Sequence, residues 1–307
     1  MAESLERLTR HTATLQSIRG IVRTMKTMSA INALPYEQAA QAIDAYRDTV
    51  LDGFRALLHH AGRLPRAPER PMRQVIVAMG SDHGLCGNYN EVLAAEVIRH
   101  PAARDGARII CVGAQMADAL AGEGLRAEVT LLPPATADGL GRLSGELVTR
   151  LEQSRGDGEI EVVLVYTQRE AHGRQAAVSQ RLLPLDDALL DDLARNPWRS
   201  RSLPQLGLPT PALLAVLIRN LLFATLYRAA AEALVTENAA RLARMQQAEQ
   251  SVDERLEVLL TEARLVRQSE ITGELLDVIV GFEALKGRER RRRTAQQREA
   301  GRLCPPS

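Results

Sequence analysis

The turn GSDHGLCG, residues 80–87, gathers an aspartate, a histidine and a thiol, Asp82, His83 and Cys86. Such a trio could supply a nucleophile and its base, or part of a metal site. A nucleophilic thiolate needs a base beside it and a third group to orient that base, and no positioned third group is visible. A structural zinc site takes four ligands, whereas only one histidine and one cysteine lie close together here. His11, His59, His60, His100 and His172 show no ligand spacing. The glycines at 80, 84 and 87 fit neither G-x-G-x-x-G nor G-x-x-x-x-G-K-[ST], and no lysine follows to meet a phosphate. The residues therefore point to no catalytic group, no metal, no cofactor and no nucleotide site of the chain's own. The glycines suit a tight strand-to-helix turn, and a thiol between Leu85 and Gly87 suits a small packed group.

That turn must sit in an α/β domain. PRAPERP at 65–71 reads as a turn-rich boundary. After it, buried-strand patterns at 74–79, 107–112, 128–132, 161–166 and 176–184 alternate with helical ones at 91–100, 115–122 and 141–155. This order predicts a small, mostly parallel sheet with helices on its faces, over 72–185. Residues 186–210, with Asp and Pro scattered through them, read as a linker.

Both ends read as long helices. From Ala212 to Cys304 no proline occurs in 93 residues, and Val252, Leu256, Leu259, Ala263 and Val266 step by 4, 3, 4, 3, as in a coiled-coil seam. A helix over 211–285 would span ~110 Å at 1.5 Å per residue. At the other end, over 1–64, Leu8, Leu15 and Val22 repeat every seven residues, with Ile18 and Met25 at the second core position. Pro35 is expected to kink or divide that first helix. Two terminal helices joined through a middle domain most simply pair antiparallel. Aromatics make up only 3%, which suits a coil. The net charge of +1 gives no global steer toward nucleic acid or an anionic membrane. Cys86, Cys111 and Cys304 are odd in number and far apart, which suggests a reducing compartment. No apolar run reads as long as a spanning helix, no signal peptide is read, and the expectation is a soluble chain.

Four ordered segments carry a resemblance: SDHGLCGNYN at 81–90, ENAARLARM at 237–245, RQSEITGEL at 267–275 and, more weakly, RTMKTMSAI at 23–31. Together they resemble the gamma subunit of F-type ATP synthases, over about residues 3–285. The resemblance implies an antiparallel coiled coil of N- and C-terminal helices with an inserted Rossmann-like α/β domain. Asp82, Gly84, Leu85, Cys86, Gly87, Glu237 and Arg241 are its structural motif residues. It implies a non-catalytic rotor that transmits torque between a membrane ion-translocating ring and a catalytic ring, in a hetero-oligomer. The implied partners are the alpha and beta hexamer, the epsilon subunit and the c-subunit ring, with the foot formed around 227–241. The implied location is the cytoplasmic face of a bacterial inner membrane. No thylakoid-type regulatory cysteine pair is present. The departures at Met25, Thr27, Met28 and 33–38, and a 22-residue tail from Lys286, resemble a divergent branch of alternate bacterial ATPases. Proton and sodium coupling both stay open.

The residues of the long helix argue in the same direction. Ile271, Leu275, Leu276, Val278, Ile279, Val280 and Phe282 wrap most of the circumference, so a surrounding partner is expected. The alternative is that this stretch folds back into the chain's own core. Just before it, Arg267, Gln268, Thr272 and Glu274 are polar, and the resemblance gives positions 267 and 268 a loop of the beta chain. A guanidinium fork can bind a carboxylate and release it on rotation. Arg19, Arg23 and Lys26 fall on one basic face, aimed by the resemblance at an acidic beta-chain loop; an ordinary solvated face is the alternative. The Arg-rich tail, 286–307, reads as solvated and disordered, or as the arm of a scaffold or nucleic-acid adaptor.

Overall fold

A computed structural model describes residues 2–62, 72–156, 158–170, 174–196, 198 and 201–300. The boundary at 65–71, His172 and tail residues 301–307 lie outside these. The elements run α1 (Ala2–Ala61), β1 (Arg73–Met79), α2 (Tyr89–Arg99), α3 (Pro101–Arg104), β2 (Arg108–Val112) and α4 (Ala114–Gly122). They continue with β3 (Val129–Leu131), a 3-10 turn, α5 (Leu140–Arg155), β4 (Ile160–Arg169), β5 (Gln175–Leu183), α6 (Asp187–Arg195) and α7 (Thr210–Ala300). The chain divides into two compact units, one of Thr24–Gln246 and one of Met1–Arg23 with Gln247–Ser307.

The larger unit is built on a five-stranded sheet of order β3-β2-β1-β4-β5. β1 pairs in parallel with β2 and β4, β2 with β3 likewise, and β5 lies antiparallel on β4. Successive strand residues point to opposite faces, and β1 buries both. Val75, Val77 and Met79 join the layer of α5 and α7, with Leu140, Leu147, Leu222 and Leu226. Ile76 and Ala78 join the layer of α2 and α4, with Leu93, Val97, Met116 and Leu120. A strand buried on both sides must be apolar throughout, which is why QVIVAM reads as an unbroken run.

Several expectations are corrected. The stretch read as a linker holds α6, where Asp186 accepts a 3.1 Å bond from the Ala188 amide as N-cap. Its Leu193 packs with Phe54, Leu57, Leu217 and Leu221 in a third core. Pro35 does not divide α1. It lies on an exposed part of the helix, where solvent can take the carbonyl bond that proline forfeits. The tail is helical as far as Ala300, since Arg, Gln, Glu and Ala are good helix formers and proline first appears at Pro305. α7 also contains an 18-residue window long and apolar enough to cross a membrane, 28% of it buried, contrary to the sequence reading. Helix α7 owes much of this apolarity to Leu217, Leu221, Leu222 and Leu226, which enter cores.

The smaller unit pairs its two helical segments antiparallel. Arg19 reaches Asp253 at 2.9 Å and Arg23 reaches Glu249 at 2.7 Å, so a step of four forward on α1 meets a step of four back on α7. Val22, Val252 and Leu256 are buried in the seam. Ile18, expected at a core position, is 40% exposed.

Leu193→Ala leaves a cavity among Phe54, Leu57 and Leu221. It is expected to cost about 2–5 kcal/mol in urea unfolding of the chain, and a change below about 0.5 kcal/mol would mean that α6 contributes no core.

Candidate functional site

The turn after β1 is closed by its own polar groups. Asn90, in the first turn of α2, accepts a bond from the Ser81 amide at 2.9 Å and donates from Nδ2 to Ser81 Oγ at 2.8 Å. Ser81 Oγ donates to the His83 carbonyl at 3.0 Å and lies 3.4 Å from the Cys86 sulfur. Asp82 Oδ1 accepts from the Ala114 amide at 3.1 Å. Gly113, the N-cap of α4, has no side chain to offer, so a carboxylate from the neighbouring turn meets the amide ends of that helix instead. Two glycines are required by the geometry. A Cβ at Gly80 would lie 2.5 Å from Met116 Cβ, and Gly87 has a φ of +71, a left-handed backbone that favours glycine. Asp82 and Cys86 are thus committed to shaping a turn, to which His83 lends its backbone carbonyl while its imidazole stays exposed. Among the described residues, no group of three or more His, Cys, Asp or Glu could hold a metal ion.

This turn is fastened to α7. Arg241 donates from Nη2 to the His83 carbonyl at 3.3 Å and from Nε to the Gly84 carbonyl at 3.4 Å. The same guanidinium holds Glu237 at 2.6 Å, with both side chains almost fully buried. The buried Tyr89 hydroxyl donates to the Ala233 carbonyl at 2.9 Å and lies 3.1 Å from Thr236 Oγ1. Thr236 also reaches the Thr167 carbonyl on β4. Nearby, Glu232 accepts from the amide and guanidinium of Arg169, which also pairs with Glu37 at 2.7 Å. Burial raises the Glu237 carboxyl above its ordinary range, opposed by the bond from Arg241. Burial likewise pushes the Cys111 thiol up to about 12, which leaves it a neutral packing group.

The residues expected to meet partners divide. Arg267, Gln268, Thr272 and Glu274 are exposed on α7, and Thr272 Oγ1 donates back to the Gln268 carbonyl at 2.8 Å. Among and beyond them, Ile271, Leu275, Leu276, Val278, Ile279, Val280, Phe282 and Leu285 are each between 52% and 70% exposed. The fold-back alternative is therefore absent from this structure. The free basic face of the first helix is corrected. Arg19 and Arg23 bind α7 carboxylates across the coil, and Lys26 is half-buried. Register across the pair, invisible in either helix alone, brings those partners together. Tyr89 and Thr236 were not singled out as site residues by sequence reasoning, because their partners lie far away along the chain.

The family model described as ATP synthase matches residues 4–285. The ATP synthase gamma chain of Nitratidesulfovibrio vulgaris (strain Hildenborough) is 27% identical over 290 residues, covering 88% of this chain and 97% of that one. The chain belongs to the ATP synthase gamma-chain family. Another gamma-family relative, the ATP synthase gamma chain of Granulibacter bethesdensis, is 27% identical over 304 residues, with 92% and 99% covered. Solved structures share the gamma-family fold. A chain of the Euglena gracilis mitochondrial ATP synthase, in an OSCP/F1/c-ring structure, gives a TM-score of 0.62 at 15% identity, covering 100% of this chain and 98% of that one. A central stalk and c-ring structure of the Tetrahymena thermophila enzyme gives 0.51 at 18% identity, with 74% and 99% covered. The family match ends at residue 285, whereas α7 runs to Ala300.

Because the native state holds the Glu237 proton more tightly than the unfolded chain does, this group favours folding at low pH and loses that advantage as pH rises from 4.5 through its raised native value. Glu237→Gln removes the titration. Wild type is expected to lose stability relative to the variant across that rise, read by urea unfolding at successive pH values; parallel profiles would rule out the buried titration.

Proposed function

We propose that this chain is the central-stalk rotor subunit of a membrane-associated ATP synthase, transmitting torque and performing no chemistry itself. One observation carries the reading: the apolar residues of 271–285 wrap most of α7 and are exposed in the chain alone. Helices of that kind need a sleeve of other polypeptide. Family membership supplies its identity, a ring of alpha and beta chains, with the epsilon subunit and the c ring at the other end. The similar solved structures, of a rotor, of a central stalk with its c-ring and of an OSCP/F1/c-ring assembly, support that arrangement. On this reading the chain works at the cytoplasmic face of a bacterial plasma membrane, driven by protons or sodium.

The mechanism follows from asymmetry. A shaft equal on all sides would bias three catalytic sites equally and change none of them; only differential contact shifts an equilibrium. Arg267 and Gln268, exposed beside the apolar stretch, are the groups we assign to contact with a beta-chain loop, with Thr272 and Glu274 one and two turns on. A bidentate guanidinium contact to a carboxylate is directional, yet in a solvated gap it is worth roughly 1 kcal/mol or less. Such a contact can be made and broken on each turn. The internal pairing of Arg19 and Arg23 favours assigning the coupling role to α7 rather than to α1.

Co-expression with cognate alpha and beta chains is expected to yield a complex containing this chain, read by size exclusion and mass spectrometry; recovery of the free protein alone would sink the proposal. Within that complex, Arg267→Ala is expected to lower ATPase turnover severalfold while assembly survives, and unchanged turnover would remove Arg267 from the mechanism.

A further inference from the structure

In an open parallel sheet, ligands settle outside the carboxyl ends of the strands, at the point where strand order reverses. Here that point lies between β1 and β4: the chain builds outward from β1 to β2 and β3, then crosses back to β4 on the other flank. Its walls are the turn after β1 and the end of β4. Both walls are already occupied by α7. Arg241 donates to the carbonyls of His83 and Gly84 on one wall, and Thr236 and Glu232 bond Thr167 and Arg169 on the other. Tyr89 adds a bond to Ala233 from the start of α2. Arg241 is itself aimed by Glu237.

We propose that residues 232–241 of α7 are the resident occupant of the crevice in which such a sheet would take a ligand, and that Arg241 is a positioning residue through which the turn after β1 passes force to α7. The second half rests on the rotor reading; the first half stands on the geometry alone. A planar guanidinium suits the task because one rigid group spans two carbonyls and a carboxylate, which a lysine ammonium cannot reproduce. The domain then serves as a socket for the helix, with its ligand position spent on an internal joint.

The test uses the complex assembled with the partner chains, carrying wild-type chain, Arg241→Lys or Arg241→Ala. Hydrogen exchange of amides 81–87 is expected to speed up about tenfold in the alanine variant, as loss of a charge-assisted contact implies, and less in the lysine variant, which keeps a cation for Glu237. Ions pumped per ATP hydrolysed should fall in the same order, while hydrolysis itself continues. Unchanged exchange in the alanine variant, or in the lysine variant if alanine does not assemble, would overturn the occupancy. Faster exchange with an unchanged pumping ratio would overturn the force role. Protection of 81–87 in wild type on adding ATP would show a ligand entering, and would also defeat the occupancy. A wild-type complex that hydrolyses ATP without pumping would instead count against the rotor reading.

Discussion

A helix apolar around most of its circumference is not a stable object in water. Residues 271–285 are such a helix, interrupted by Thr272, Glu274, Asp277 and Glu283, and their apolar side chains are half exposed or more in the described chain. Burying a Leu, Val, Ile or Phe side chain is worth roughly 1.5–3 kcal/mol, so eight of them left half exposed or more are a strong pull toward a sleeve. The rest of the small unit follows from that need. Polar groups at 267 and 268 border the apolar zone and those at 272 and 274 lie within its first turn, and the coil hides only a narrow seam of Val22, Val252 and Leu256.

The larger unit solves a different problem. A sheet with strands buried on both faces has strong layers but an open carboxyl edge, and that edge carries unsatisfied backbone groups. Here α7 closes it, using Arg241, Thr236, Glu232 and the carbonyl of Ala233. The short polar residues of the SDHGLCG turn make that closure possible by folding the backbone so that the His83 and Gly84 carbonyls face the helix. Charge chemistry in the turn is therefore architectural.

Much of this was legible in the amino-acid sequence. Strands β1, β2 and β4 are apolar runs too dense to be anything but buried, and the seam spacing of Val252, Leu256 and Leu259 marks α7 directly. α6 was hidden because Asp186, Asp187, Asp191 and Asp192 look like a solvated loop, although Leu189 and Leu193 already carry the i, i+4 spacing of one buried face. The helical course of 286–300 was hidden by its arginines, which resemble a disordered arm. Arg19 and Arg23 show a more general limit. A lone helix advertises which side is greasy, but a charged side chain does not announce a mate more than two hundred residues away.

The rungs of the small unit's coil have a consequence of their own. Arg19 with Asp253 and Arg23 with Glu249 sit partly in solvent, at the edge of the seam, where dissolved ions damp attraction over about 8–10 Å. Their grip therefore slackens as the medium grows saltier, while the greasy seam beneath does not. The twist stiffness of this pair of helices is consequently a property shared between the polypeptide and the fluid around it.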